Sequence, residues 1–151
     1  MGTPARKGAG AIASCAQSEE PRAAVSFSRN PVDVLTVDDS AQFLEAAREL
    51  VATTEGFRLV GEAGSGEEGV AAARRLSPDL VLLDVRMPEM DGIETARRLT
   101  AVDPGMVILL VSANEQADAP HGVGSCGAAA FVRKQDLAPS TLHRLWATHG
   151  A

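Results

Sequence analysis

A run of apolar residues that ends in a single carboxylate constrains this chain more than any other feature. Residues 80–83 read Leu-Val-Leu-Leu, Asp84 follows, and a loop containing Pro88 and Gly92 begins at once. Short apolar runs bounded by turn-forming residues are typical of strands buried on both faces, as in parallel sheets covered by helices. Ligands of open α/β sheets bind at the carboxyl ends of the strands. We therefore expect Asp84 to meet a cation, a hydrogen-bond donor or a reacting group.

Strand-like and helix-like segments alternate from residue 31 onward. The segments that predict strands are 32–37, 57–61, 80–84, 106–111 and 128–132. Helices are predicted between them, with a capping box from Ser65 to Glu68, an N-cap at Asp91 and a last helix that begins at Pro139. This alternation indicates a doubly wound parallel α/β sheet, although spacing alone does not fix the strand order.

The segment between the fourth and fifth strands departs from this pattern. Residues 115–124 should form the fourth helix, but they contain Pro120, Gly122 and Gly124. Glycine in a helix interior costs about 1 kcal/mol and proline about 3 kcal/mol relative to alanine. The sequence therefore predicts a short or irregular fourth helix.

Composition and charge divide the chain into two parts. Residues 1–30 are rich in Ala, Gly, Ser and Pro, lack hydrophobic periodicity and carry a net charge of +2. They predict a disordered N-terminal arm. Residues 31–151 carry a net charge of −8, so the whole chain has a net charge of −6. Their length and composition predict one folded domain. An acidic domain without a basic stripe argues against direct binding to nucleic acid.

Two further classes are disfavoured by composition. The two cysteines, Cys15 and Cys126, are far apart in the chain, so a disulfide framework or a zinc site is not expected and a reducing cytoplasm fits. No apolar stretch approaches the ~18 residues that a membrane span needs.

Carboxylates follow two of the predicted strands. Asp38 and Asp39 come after the first strand, as Asp84 comes at the end of the third. Carboxylates brought together at one edge of a sheet repel one another, and Mg²⁺, which prefers a few carboxylates and retained waters, relieves that repulsion. The alternative for the Asp38–Ser40 segment is a helix N-cap formed by Ser40 or Asp39.

A hydroxyl and a lysine extend the same pattern. Ser112 follows the fourth strand and Lys134 follows the fifth. A hydroxyl and an ammonium that face a carboxylate pocket would bind an incoming phosphoryl group. Residues 31–151 contain nine arginines but only this lysine, which suggests a site that needs a compact point charge. The alternatives are a surface lysine and an ordinary loop hydroxyl.

Four motifs in this order resemble the receiver domain of two-component response regulators. They are Val37-Asp38-Asp39-Ser40, the segment from Leu83 to Gly92 with its Met87-Pro88-Glu89-Met90-Asp91-Gly92, Val111-Ser112-Ala113, and Phe131-Val132-Arg133-Lys134. The resemblance covers roughly residues 32–148 and includes the receivers of LuxR/NarL-type regulators. It implies a flavodoxin-like fold with the strand order 2-1-3-4-5.

The resemblance also implies a role for each residue of the pocket. Asp84 is expected to be the phosphoacceptor. Asp38, Asp39, Asp84 and the backbone carbonyl of Arg86 are expected to bind Mg²⁺. Ser112 and Lys134 are expected to contact the phosphoryl group.

Three more positions are assigned by the same resemblance. Ser112 and Phe131 are expected to form the conformational switch, in which Phe131 moves inward as Ser112 turns to the phosphoryl group. The alternative for Phe131 is simple core packing. Arg86 and Asn114 flank the acceptor and are expected to tune the rate at which water removes the phosphoryl group.

These expectations together predict a signalling protein. The chain ends soon after Trp146, so we expect a single-domain response regulator without an effector domain. Its partners would be a sensor histidine kinase or phosphotransfer protein and an unknown downstream protein, in the cytoplasm, with the chain a monomer or weak dimer. It would catalyse only its own phosphorylation and autodephosphorylation.

The sequence leaves three alternatives to this function. The first is a receiver-like interaction module that is never phosphorylated. The second is a fragment of a DNA-binding transcriptional regulator. The third is a metal-dependent phosphatase, which is disfavoured because its general acid would fall at Arg86.

Overall fold

The computed structural model describes residues 30–113 and 122–150, and within them strands and helices alternate. The strands are β1 (Val32–Val37), β2 (Phe57–Ala63), β3 (Leu80–Asp84), β4 (Val107–Ser112) and β5 (Ala130–Arg133). The helices are α1 (Ala41–Ala52), α2 (Gly66–Leu76), α3 (Gly92–Val102) and α4 (Pro139–His149). None of the helices in the described part of the chain contains an apolar stretch that could span a membrane.

The described strands form one parallel sheet in the order β2-β1-β3-β4-β5, which confirms the predicted flavodoxin-like topology. Val37 is paired with Leu83, and Asp84 is paired with Val111. The carboxyl ends of β1, β3 and β4 therefore lie side by side. This register brings the polar residues that follow the three strands to one edge of the sheet.

Two apolar clusters fill the space on either side of the sheet. Side chains of a strand alternate between its faces, so Leu35 and Val37 lie in one cluster and Val34 in the other. The first cluster is covered by α2 and α3, and the second by α1 and α4. Both faces are apolar because helices cover both, as expected for a parallel sheet.

The predicted helix caps are present, with one difference. The Asp91 carboxylate accepts a hydrogen bond from the Glu94 N–H, and the Ser65 hydroxyl accepts one from the Glu68 N–H. In a regular capping box the Glu68 carboxylate would accept from the N–H of Ser65. It accepts instead from the N–H of Gly64, one residue earlier. The cap thereby ties the end of β2 to the start of α2.

Strand ends differ from the prediction by one or two residues, because pairing decides where each strand stops. β2 continues beyond Gly61 to Ala63, which is paired with Val37. β4 includes Ser112, which is paired with Arg133. Apolar character alone does not show these limits, since polar residues at a strand end can still be paired.

The short or irregular helix that the sequence predicts between β4 and β5 falls largely on residues 114–121, which lie outside the described residues. Where the description resumes, Gly122 has φ +96°, a left-handed conformation that favours glycine. A single 3₁₀ turn, Val123–Ser125, follows it. The described end of this segment is thus a turn that follows a glycine in the left-handed conformation.

Candidate functional site

Three carboxylates meet at the carboxyl edge of the sheet. Oxygen atoms of Asp38, Asp39 and Asp84 all lie within 4.8 Å of one another. Asp38 is fully buried and Asp84 is 7% exposed, whereas Asp39 is exposed. The register of β1 against β3 produces this arrangement, as predicted. Three negative charges at this distance repel one another, and a bound cation would relieve that repulsion.

Asp38 is held by two different contacts. Its Oδ1 accepts a hydrogen bond of 2.8 Å from the Ser40 N–H, and its Oδ2 lies 2.8 Å from the Lys134 ammonium nitrogen. The second contact is an ion pair at hydrogen-bonding distance. Asp38 is thus a buried carboxylate that lines the pocket, and carboxylate oxygens are ligands that a hard cation such as Mg²⁺ prefers.

The helix-cap alternative and the metal-site prediction are compatible. The Ser40 hydroxyl accepts a hydrogen bond from the Phe43 N–H and so caps α1. Asp39 is therefore not required as the cap. Its exposed carboxylate lines the pocket beside Asp38 and Asp84.

Burial raises the pKa of Asp84 from 3.8 to about 6. The largest cause is desolvation, and the negative charge of Asp38 adds to it. Lys134 and a backbone hydrogen bond from Arg86 act in the opposite direction and favour the carboxylate. Asp84 is thus a desolvated carboxylate that is still mostly ionised at pH 7.

The three acids open onto a pocket of 510 Å³. The remaining residues that line it are Ser40, Arg86, Ser112, Ala113 and Lys134. Ser112 is the last residue of β4 and is 5% exposed, and Lys134 directly follows β5. Every residue predicted to bind the metal or the phosphoryl group therefore lines one pocket.

Comparison with known proteins identifies the family to which this arrangement belongs. The family described as the response regulator receiver domain matches residues 34–145. This chain belongs to that family. Receiver domains serve phosphorylation-based signalling, and this general function holds for the chain.

Relatives with the same domain differ in overall length. The response regulator GacA of Pseudomonas viridiflava is 36% identical over 103 residues, which cover 68% of this chain and 48% of that protein. The chemotaxis protein CheY of Thermotoga maritima is 36% identical over 101 residues, which cover 67% of this chain and 83% of CheY. The chain therefore spans about half the length of its GacA relatives.

Solved structures agree on the fold. The receiver domain of NarL from Mycobacterium tuberculosis has a TM-score of 0.68 and 29% identity, covering 79% of this chain and 95% of that one. CheY in a CheX-CheY-BeF3-Mg+2 complex from Borrelia burgdorferi has a TM-score of 0.69 and 27% identity, covering 82% and 92%.

Some relatives carry the domain in enzymes. A protein-glutamate methylesterase of Anaeromyxobacter dehalogenans is 40% identical over 114 residues, but this match covers only 32% of the enzyme. The receiver domains themselves are non-enzymatic signalling modules. The similarity to the esterase therefore concerns the receiver alone.

The positions assigned by resemblance differ in how the receiver places them. Arg86 is exposed and lines the pocket, and Asn114 lies outside the described residues. Phe131 is half-buried and packs against the apolar cluster under α2 and α3. The tuning role of Arg86 and Asn114 and the switch role of Phe131 remain predictions.

One residue of the site was missed from the sequence. Phe43 is not among the residues that the sequence predicts for the site. Its ring lies under Lys134, with 4.2 Å between the ammonium nitrogen and the ring centroid. The position of Phe43 in the first turn of α1, close after Asp39, indicates that it lies near the site. Its contact with Lys134 depends on the tertiary fold and is not visible in the sequence.

Proposed function

We propose that this receiver accepts a phosphoryl group on Asp84 from a phosphohistidine of a sensor histidine kinase or phosphotransfer protein. The observation that carries the proposal is the meeting of three carboxylates within 4.8 Å, with a lysine ammonium 2.8 Å from one of them. Phosphorylation would then change which downstream protein the receiver binds.

The transfer is a substitution at phosphorus. An ionised Asp84 oxygen attacks the phosphorus atom in line, the P–N bond to the histidine ring breaks, and the bonding pair leaves with the ring nitrogen. Asp84 is 7% exposed and therefore poorly solvated, and with a pKa of about 6 it is still mostly ionised at pH 7. A poorly solvated carboxylate loses little hydration when it attacks.

Mg²⁺ is part of this proposal. Asp38, Asp39, Asp84 and the Arg86 carbonyl would hold the ion, and the close approach of the three carboxylates supports the assignment. When bound, Mg²⁺ supplies neutralisation of the charge on the phosphoryl oxygens. The similar CheY complex from Borrelia burgdorferi contains Mg²⁺ and BeF3.

Lys134 and Ser112 would hold the phosphoryl group on the other side. A phosphoryl group brings nearly two negative charges and three acceptor oxygens. The Lys134 ammonium would pair with one oxygen, and the Ser112 hydroxyl would donate to another. The movement of Ser112 is then the proposed signal that Phe131 follows into the interior.

A chemical phosphodonor tests the proposal directly. With acetyl phosphate and Mg²⁺, we expect the chain to shift on a phosphate-affinity gel, and we expect Asp84→Asn to show no shifted band. Asp79→Asn is the matched control, because Asp79 is an exposed carboxylate just before β3, at the opposite end from Asp84. That variant should be labelled like the parent chain.

Two outcomes would contradict the proposal. Equal labelling of the Asp84→Asn variant would place the phosphoryl group elsewhere. Absence of labelling of the parent chain, both with acetyl phosphate and with a panel of phosphorylated histidine kinases, would favour the non-phosphorylated interaction module.

The domain arrangement is also proposed. Residues 31–151 would act as the receiver and residues 1–30 as the preceding arm, with the reaction in the cytoplasm. The GacA relatives are about twice as long as the matched segment, whereas CheY is matched over 83% of its length. A stand-alone receiver, like the regulator-fragment alternative, stays a prediction.

A further inference from the structure

The lysine of the site is held from two sides. Lys134 Nζ lies 2.8 Å from Asp38 Oδ2 and 4.2 Å from the ring centroid of Phe43. An ammonium within about 6 Å of an aromatic ring centroid is attracted to the negative face of the ring. The side chain of Lys134 is only 20% exposed, so both contacts act where water is partly excluded.

Phe43 is fixed in place by the same residues that build the pocket. The Asp38 carboxylate accepts from the Ser40 N–H, and the Ser40 hydroxyl accepts from the Phe43 N–H. The Phe43 ring contacts the Lys134 ammonium, and that ammonium forms an ion pair with Asp38. Four contacts thus form a closed circuit around the first turn of α1, and two of them hold the backbone that carries the Phe43 ring.

The two partners of Lys134 differ in one respect. Asp38 Oδ2 is a carboxylate oxygen that would also bind Mg²⁺, so the metal and the ammonium compete for it. The Phe43 ring has no affinity for a hard hydrated cation in competition with carboxylates. It is the contact that Lys134 can keep when Asp38 turns to the metal.

We propose that Phe43 is a positioning residue that holds the Lys134 ammonium at the pocket by a cation–π contact, so that the ammonium remains available to a phosphoryl group when the metal takes Asp38. This inference rests on the proposed function for its kinetic consequence. The contact itself is independent of that function.

The contact is tested first by NMR. The sequence contains two lysines, Lys7 and Lys134, so a Lys7→Arg background leaves one lysine signal. We expect the ε-methylene protons of Lys134 to be shifted upfield by the ring, to lose that shift in Phe43→Leu, and to keep it when Mg²⁺ is added. Identical shifts in the two proteins, or loss of the shift on adding Mg²⁺, would overturn the proposal.

Kinetics then test the consequence. Phe43→Leu keeps an apolar side chain but removes the aromatic face, and we expect phosphorylation by acetyl phosphate to slow about threefold to tenfold. Phe43→Tyr keeps the face and should retain the parent rate. In a Lys134→Met background, Phe43→Leu should have no further effect, because the two residues act through one interaction.

Phe57 provides the control for packing. It is a buried phenylalanine of the apolar cluster against which Phe43 packs, and its ring contacts that of His143, with 5.5 Å between ring centroids. Phe57→Leu should lower stability without changing the rate of the folded protein. An equal slowing by Phe43→Leu with and without Lys134 would show that Phe43 acts through packing and would overturn the proposal.

The two proposals fail in different ways. If the parent chain is never labelled at Asp84, the proposed function fails while the NMR shift of Lys134 still stands. If Asp84 is labelled but Phe43→Leu leaves the rate and the shift unchanged, the positioning role fails alone.

Discussion

At the scale of single residues, Asp84 combines a charge with an apolar setting. The residues around it are buried on both sides in sequence, with Leu83 fully buried and Val85 5% exposed. Keeping a carboxylate there disfavours its charged form, which is why its pKa rises to about 6. A residue placed where it destabilises the fold is a candidate for function.

A pH-dependent stability follows from Asp84. Between pH 3.8 and about 6 the folded chain binds more protons than the unfolded chain, so the free energy of unfolding falls as the pH rises through this window and stays lower above it. The Asp84→Asn variant has no ionisable group at this position, so its free energy of unfolding should not fall in this way. In EDTA we expect the variant to be more stable than the parent by about 1–3 kcal/mol at pH 7 and by little below pH 4.

Urea denaturation from pH 4 to pH 8 measures this difference. The two stability curves should converge at the acid end, because the parent carboxyl is then protonated in both states. A variant that is equally stable or less stable at pH 7 would show that Asp84 is not desolvated as its burial indicates.

Residues of the site were predictable from sequence to different degrees. Asp38, Asp84 and Lys134 could be predicted, because each follows an apolar run and parallel strands end at one edge. Phe43 could not, because helical periodicity shows only that its side chain faces inward. Its partner is 91 positions away along the chain and is brought near only by the position of β5.

At the scale of elements, the same distinction holds for the ends of strands and helices. The Asp91 cap was predicted from its sequence, because a cap is a local hydrogen bond. The end of β2 at Ala63 was not, because it depends on pairing with Val37. Local chemistry is visible in a sequence, whereas pairing requires the partner strand.

Gly92 shows a close approach of two elements that the sequence did not reveal. It is the first residue of α3, and its N–H donates to the Val85 carbonyl at 2.8 Å. A Cβ atom built at this position would lie 2.7 Å from Val85 Cα and closer still to the Asp84 carbonyl oxygen. These are backbone atoms of the segment that carries the acceptor, so they cannot move aside without moving Asp84.

We therefore expect Gly92→Ala to be strongly disruptive for such a small change. The free energy of unfolding should fall by about 1–3 kcal/mol, and labelling of Asp84 by acetyl phosphate should slow as its backbone shifts. Gly124→Ala is the matched control, since a Cβ there meets nothing within 4 Å. Urea denaturation and the phosphate-affinity gel provide the readouts, and equal effects of the two variants would contradict the steric argument.

At the scale of the whole molecule, the net negative charge of the domain affects its stability. Residues 31–151 carry a net charge of −8, and three of their carboxylates meet at one pocket. Any added salt screens the general repulsion and raises stability slightly. A specific cation does more, because a ligand that binds only the folded chain stabilises it by mass action.

Mg²⁺ should therefore stabilise the chain beyond what ionic strength explains. At a concentration of about ten times its dissociation constant, binding adds about 1.4 kcal/mol and should raise the Tm by about 3–6 °C. The measurement compares MgCl₂ with NaCl at equal ionic strength in a thermal melt.

Asp39→Asn is the informative variant, because Asp39 is exposed and its loss leaves the core intact while it removes one ligand of the pocket. That variant should lose most of the extra Mg²⁺ effect and keep the NaCl effect. Equal stabilisation by the two salts would mean that the carboxylates at the end of β1 and β3 do not form a metal site.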